Sequence, residues 1–279
     1  MVSLGSIVFM VFSLLISLAL TFGLFFFLRK KYGLKLIPVL VGAAAFLLFV
    51  IVLEASLHSL VLQRAPDGSI ALMANPLLYV LYGAFAAGIF EETARFLSFK
   101  LLKRKYTGVS TALSYGIGHG GAEVLLLVTL VMINNIALSI IINMGNLPSI
   151  VTKTPQIASA IEQLTAAAPW LFAVGGIERI FAMAVQISLS VIVWHSVNSS
   201  GKVWFYPLAI VLHAVVDVAP TMYQCGVITN VLLVEIITAL LAAALVIFII
   251  RAKLFCPAKV TEIQMPEKTL ESEDELSSN

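Results

Sequence analysis

The sequence predicts an all-α fold: a polytopic membrane bundle of about seven transmembrane helices. Three observations carry this reading. The 279-residue chain is 60% hydrophobic and only 11% charged, whereas a soluble surface needs about a quarter charged residues. Apolar runs near 4–28, 36–62, 76–100, 110–142, 169–197, 203–223 and 227–250 reach or exceed the ~20 residues that cross a bilayer as a helix. No ten-residue alternating strand pattern interrupts them, and only helices and closed barrels satisfy their backbone groups in lipid.

Taken in order, the first run lacks a basic leader and exceeds a signal-peptide core, so it reads as a retained span. The connection after it holds Arg29, Lys30, Lys31 and Lys35; the connection after the second run holds only Arg64. The third run ends at Lys100, Lys103, Arg104 and Lys105. The fourth run is long, and either tilts strongly or continues past the bilayer surface. The connection at 145–168 offers only Lys153; its Ile157, Ile161 and Leu164 fall on one helical face, which fits a surface amphipathic helix or a simple linker. The sixth connection has no basic residue, and the tail begins with Arg251 and Lys253. Basic connections therefore alternate, which places the N-terminus outside and the C-terminus in the cytoplasm. Residues 1–252 read as one transmembrane domain, with a catalytic core in helices three to six (about 76–223). Residues 253–279, ending in ESEDELSSN, read as a disordered cytoplasmic tail. Cys225 and Cys256 fall on opposite sides of the membrane, and no disulfide is expected. Trp170, Trp194 and Trp204 read as interfacial anchors.

The ionisable residues of the later spans are not scattered. Span three has Glu91, Glu92 and Arg95, span four His119 and Glu123, span five Glu178 and Arg179, and span six His213 and Asp217. Each costs at least ~2.5 kcal/mol if it faces lipid at the centre of a span, so they should face the bundle interior. Glu91 and Arg95, His119 and Glu123, and His213 and Asp217 are each four apart and share a helical face. Depth agrees. Counted from the basic ends of their spans, Glu91, His119 and His213 lie about 18, 15 and 16 Å into the membrane at 1.5 Å per residue. Glu178 lies nearer the outer face.

Five carboxylates (Glu91, Glu92, Glu123, Glu178, Asp217) then face two arginines (Arg95, Arg179). Like charges in a dry site cannot all ionise. Either several are protonated or a cation is present; imidazole and carboxylate ligands suit zinc, and a remaining carboxylate can act as general base on water. The alternative for each pair is a buried ion pair or hydrogen bond that joins helices. In GIGHGG, Gly116 to Gly121, the glycines allow either close helix packing or a lined cavity. Glu54 and His58, four apart near the outer end of span two, read as structural or as lining an entrance. Glu235 is a lone carboxylate in span seven.

EETARF, GIGHGGAE, GGIERIFA and HAVVD, in that order, resemble the YhfC family of intramembrane metalloproteases. More distantly they are similar to the CPBP/ABI clan, which includes the type II CAAX prenyl endopeptidases. The resemblance covers spans three to six and, by length and span count, the rest of the chain. It implies that Glu91 activates water, with Glu92 as its neighbour and Arg95 as the orienting cation. It implies that His119 and His213 hold a metal or water, with Asp217 in the clan's Asn/Asp position. Two departures stand out. Arg95 follows the second glutamate by three residues rather than four, and Gln186 stands where a histidine follows the ERIFA-type stretch.

The expectation is an intramembrane metal-dependent endopeptidase. Glu91, Glu92 and Arg95 form its catalytic set, His119, Glu123, His213 and Asp217 are metal candidates for Zn2+, and Glu178 and Arg179 lie behind them. A metal-free hydrated glutamate site is the variant of this reading. The implied partner is a membrane-embedded or membrane-anchored peptide or protein, in the lipid bilayer, with no nucleic acid. The rivals are a proton- or cation-coupled transporter and a non-catalytic binding or immunity factor of the same fold.

Overall fold

The computed structural model describes residues 1–145 and 157–255. Lys153, Cys256 and nearly all of the tail expected to be disordered lie outside the described residues. Seven helices are long and apolar enough to span a membrane. They are α1 (Leu4–Tyr32), α2 (Leu36–Val61), α3 (Pro76–Leu102) and α4 (Val109–Asn143), followed after the short α5 (Ala158–Ala166) by α6 (Pro169–Asn198), α7 (Phe205–Gln224) and α8 (Val231–Arg251). The described residues contain no strand beyond one isolated bridge, Arg64 to Ile70. The all-α, seven-span expectation holds, and the chain is a multi-pass membrane protein.

Local sequence sets the helix ends. Asn75 caps α3 by accepting from Leu78 N, with Pro76 in the first turn, where its missing N–H costs nothing. Asn230 accepts from Leu232 N and Leu233 N to start α8. Gly33 adopts φ 66° to close α1 just after its basic last turn, Arg29 to Lys31. Large apolar side chains such as Phe26, Phe27 and Leu240 lie exposed on the outer faces, as lipid-facing positions do. Helix α4 carries 35 residues, about 52 Å of helix against a hydrocarbon core of ~30 Å. Helix α5 buries Leu164 and half-buries Ile161 against Val2, Met10, Met132 and Ile142; the amphipathic segment is a helix that docks on the bundle.

The interior divides into two halves. At the end that carries the basic connections, the main core gathers Phe99, Leu102, Val109, Leu113, Tyr115, Trp194, Phe205 and Ile249. The Phe99 ring stands 4.7 Å from Tyr115 and 5.2 Å from Trp194, centroid to centroid. Trp194 is thus 6% exposed and part of this core, not an interfacial anchor: its helix turns the indole inward. Trp170 and Trp204 are exposed, at 43% and 52%. In the other half, a polar site and cavity lie beside the smaller apolar cluster of Val2, Met10, Met132, Ile142 and Leu164.

Two crossings set the distances between helices. A Cβ on Gly118 would collide with the Val39 carbonyl of α2, and one on Gly88 would lie 2.8 Å from the Ile210 carbonyl oxygen of α7. Only glycine allows these approaches. None of the glycines of GIGHGG lines the cavity described below; their role is close packing.

Candidate active site

The polar groups meet where the aromatic core ends. Glu91, Glu92 and Arg95 occupy one turn of α3, just past Gly88. The tight contact of Gly88 with α7 brings His213 alongside, its Cβ 3.6 Å from where a Gly88 Cβ would be. His119 follows Gly118 directly and is fully buried, with Phe46 and Tyr115 against its ring.

The contacts are direct. His119 Nε2 lies 2.9 Å from Glu91 Oε2. Arg95 Nη2 donates to the same oxygen at 3.3 Å, and Gln186 Nε2 at 3.1 Å. Arg95 Nη1 donates to Glu92 Oε1. His213 Nδ1 lies 2.6 Å from Glu92 Oε1; its Nε2 lies 3.4 Å from Asp217 Oδ2 and 3.9 Å from Glu91 Oε1. Glu92, Arg95 and His119 are 0% exposed, so each charge depends on these partners rather than on water. The three residues placed by depth counting do share one level: Glu91 stands between His119 and His213.

A second cluster adjoins the first. Arg179 donates from Nη1 to Glu123 Oε1 at 2.8 Å and from Nη2 to Glu178. Gln186 joins the two clusters by donating also to Glu123 Oε2 at 2.7 Å. Glu123 shares a helical face with His119, yet it turns to Arg179, because that guanidinium offers the nearby positive charge. The structure therefore brings together Glu91, Glu92, Arg95, His119, His213 and Asp217, and sets Glu123 apart with Glu178 and Arg179. Gln186 is the contact residue of the candidate site that sequence reasoning misses. In the sequence it stands out only as a departure from the family pattern, and an uncharged amide gives no signal in a charge-based reading.

A cavity of about 460 Å³ extends from this site. Glu91, Gln186 and His213 lie at its floor. Its walls run along α3 to Tyr79, along α7 to Gln224 and along α2 to Leu62, and each of these is the helix end away from the basic connections. From Glu91 to Tyr79 is about 18 Å along the helix. Glu54 and His58 line this cavity, as the entrance reading had it. Arg95 and Glu92 do not line it; they stand behind Glu91.

The fold and site define a class: a multi-pass helical membrane protein with a buried glutamate–histidine–arginine centre at the foot of a polar cavity. Residues 16–238 match the family profile described as YhfC intramembrane metalloprotease, and the chain belongs to that family. It is 36% identical over 256 residues, 91% of this chain and 98% of the other, to the protein named "Uncharacterized membrane protein YhfC" of Bacillus subtilis (strain 168). No solved structure matches the chain.

The family description implies a metal. The donor chemistry suits one, since imidazoles and carboxylates are zinc ligands. The spacing does not fit. His119 Nε2 is turned to Glu91, His213 Nδ1 to Glu92, and Glu123 to Arg179. Among the described residues no three His, Cys, Asp or Glu side chains are set as a metal cage. The four candidates His119, Glu123, His213 and Asp217 are thus not gathered around one point, because Arg179 and Gln186 draw Glu123 away.

Proposed function

We propose that this protein is an intramembrane endopeptidase in which Glu91 activates water for attack on a peptide bond of a membrane-associated substrate. One observation carries the reading. Three donors, from His119, Gln186 and Arg95, converge on Glu91 Oε2, while Oε1 makes no hydrogen bond to the described residues and stands 3.9 Å from His213 Nε2. A separation beyond 3.5 Å between polar atoms is one that water bridges. A water there touches both a carboxylate oxygen and an imidazole nitrogen at the floor of the cavity.

The steps follow from these atoms. Glu91 Oε1 takes a proton from the water as its oxygen attacks the carbonyl carbon, and the C=O electron pair moves to the carbonyl oxygen. His119, Gln186 and Arg95 hold the carboxylate in orientation. When the tetrahedral intermediate collapses, the C=O bond re-forms, the C–N bond breaks, and the leaving nitrogen takes the proton that Glu91 Oε1 accepted from the water. Glu92 and Asp217 fix the His213 ring from its two nitrogens. Arg95 positions the carboxylates and does not touch substrate. No step here depends on a metal.

The test is Glu91→Gln in cells that lack the native gene. The peptidase reading expects the same uncut membrane protein to accumulate with Glu91→Gln as with the deletion, with the variant present at normal level in the membrane. Full complementation by Glu91→Gln assigns the chain to a binding or assembly role and ends the enzymatic reading.

A further inference from the structure

The cavity wall is unbalanced in charge. Glu54, Glu123, Glu178 and Asp217 line it together with Glu91, and among the described residues Arg179 is the only lysine or arginine in the lining. That arginine is already bound to Glu123 and Glu178. Glu54 is the least answered. Its side chain is 7% exposed, Oε1 lies 3.3 Å from His58 Nε2, and Oε2 has no partner. His58 is in turn fixed from its other nitrogen by the Tyr82 hydroxyl at 2.7 Å.

Two more wall groups are unmet: Gln186 Oε1, an acceptor, and Arg179 Nε, a donor. Buried polar atoms of this kind are rare. A bare cation would meet Glu54 but leave most of the cavity unfilled. A proton can neutralise Glu54 but cannot fill about 460 Å³. A peptide segment fits that volume and brings a cationic side chain to the Glu54 carboxylate. Leu62, Ala87 and Leu127 in the same wall give apolar residues of that peptide a place.

We infer that the cavity receives an extended peptide segment bearing a lysine or arginine, inserted from the end of the bundle opposite the basic connections, with the cation held at Glu54. The inference rests on the peptidase reading and adds its substrate class: membrane-associated segments that are cationic just beyond the scissile region. Glu54 lies outside the hydrolytic centre, so it selects substrate and takes no part in bond cleavage.

The test uses the full-length protein in phosphatidylcholine nanodiscs, which carry no net lipid charge. The probes are three fluorescent single-span peptides, identical except for Lys, Gln or Glu at one position next to the apolar stretch. Binding is read by anisotropy against empty nanodiscs, and cleavage on a gel. The expected result is at least 10-fold tighter binding of the lysine peptide than of the glutamine peptide. Glu54→Gln removes that preference, and Glu54→Lys transfers it to the glutamate peptide, a gain that misfolding cannot produce. Equal binding of the three peptides by the unaltered protein overturns the inference, as does a lysine preference that persists in folded Glu54→Gln. If neither variant folds, the unaltered protein's peptide series decides alone. Lysine preference without cleavage of any peptide leaves this inference standing and counts against the peptidase; cleavage without preference does the reverse.

Discussion

His119 Nε2 lies 2.9 Å from Glu91 Oε2, although 28 residues and a change of helix separate the two. This contact joins α4 to α3 at the level where His213 arrives from α7. It makes the site a product of three helix crossings rather than of any one motif.

The two adjacent glutamates should behave differently. Glu91 lines the cavity and Glu92 is fully buried behind it. Glu91→Gln should lower turnover by about 10²–10⁴-fold, the scale of a lost general base, with little change in thermal stability. Glu92→Gln should weaken the hold on the His213 ring, so that both stability and turnover fall in part. Thermal unfolding in detergent, paired with a cleavage assay on the lysine peptide, separates the two. Equal loss of activity at equal stability would contradict this division.

Arg95 should matter more to the fold than any other charged residue. It is 0% exposed and bonded to Glu91 and Glu92 together. Arg95→Leu leaves two carboxylates without their cation and should destabilise by about 3–5 kcal/mol, the usual effect of removing one partner from a buried pair. Arg95→Lys should recover only part, because an ammonium cannot present a fork of donors to two carboxylates. A melting temperature unchanged in Arg95→Leu would show that the pair is not structural.

Glycine positions should split by contact. A Cβ on Gly118 meets backbone of α2, while nothing lies within 4 Å of one on Gly175. Gly118→Ala should therefore cost about 1–3 kcal/mol through overpacking. Gly175→Ala should be neutral or stabilising by up to about 1 kcal/mol, because alanine is the better helix former. Differential scanning fluorimetry on the two variants checks the contrast, and equal shifts would count against the α2–α4 crossing.

Orientation is checked by single cysteines in a background with Cys225 and Cys256 replaced by serine. The basic connections are expected in the cytoplasm. A membrane-impermeant maleimide should then label Asp67→Cys in intact cells and Arg104→Cys only after permeabilisation. The opposite pattern would place the cavity opening on the cytoplasmic side.

The seven spans and the depth of Glu91, His119 and His213 were legible, because hydropathy and a rise of 1.5 Å per residue fix height in a membrane. What height does not fix is azimuth. His119 and Glu123 share a face by spacing, yet one reaches Glu91 and the other Arg179. That choice depends on how α6 is rotated against α4, which no single-helix pattern encodes. Gln186 is invisible to a charge pattern because its amide carries none. Trp194 was misread because proximity to a helix end does not say which way an indole points; here it turns onto Phe99.

The packing of Phe99, Tyr115 and Trp194 beneath the site makes the bundle a blind well. Solutes that descend to Glu91 from one compartment meet a stopper and find no onward route. The chemistry proposed at Glu91 would thus draw its water and its substrate from one compartment alone, with the ion gradient across the membrane left intact.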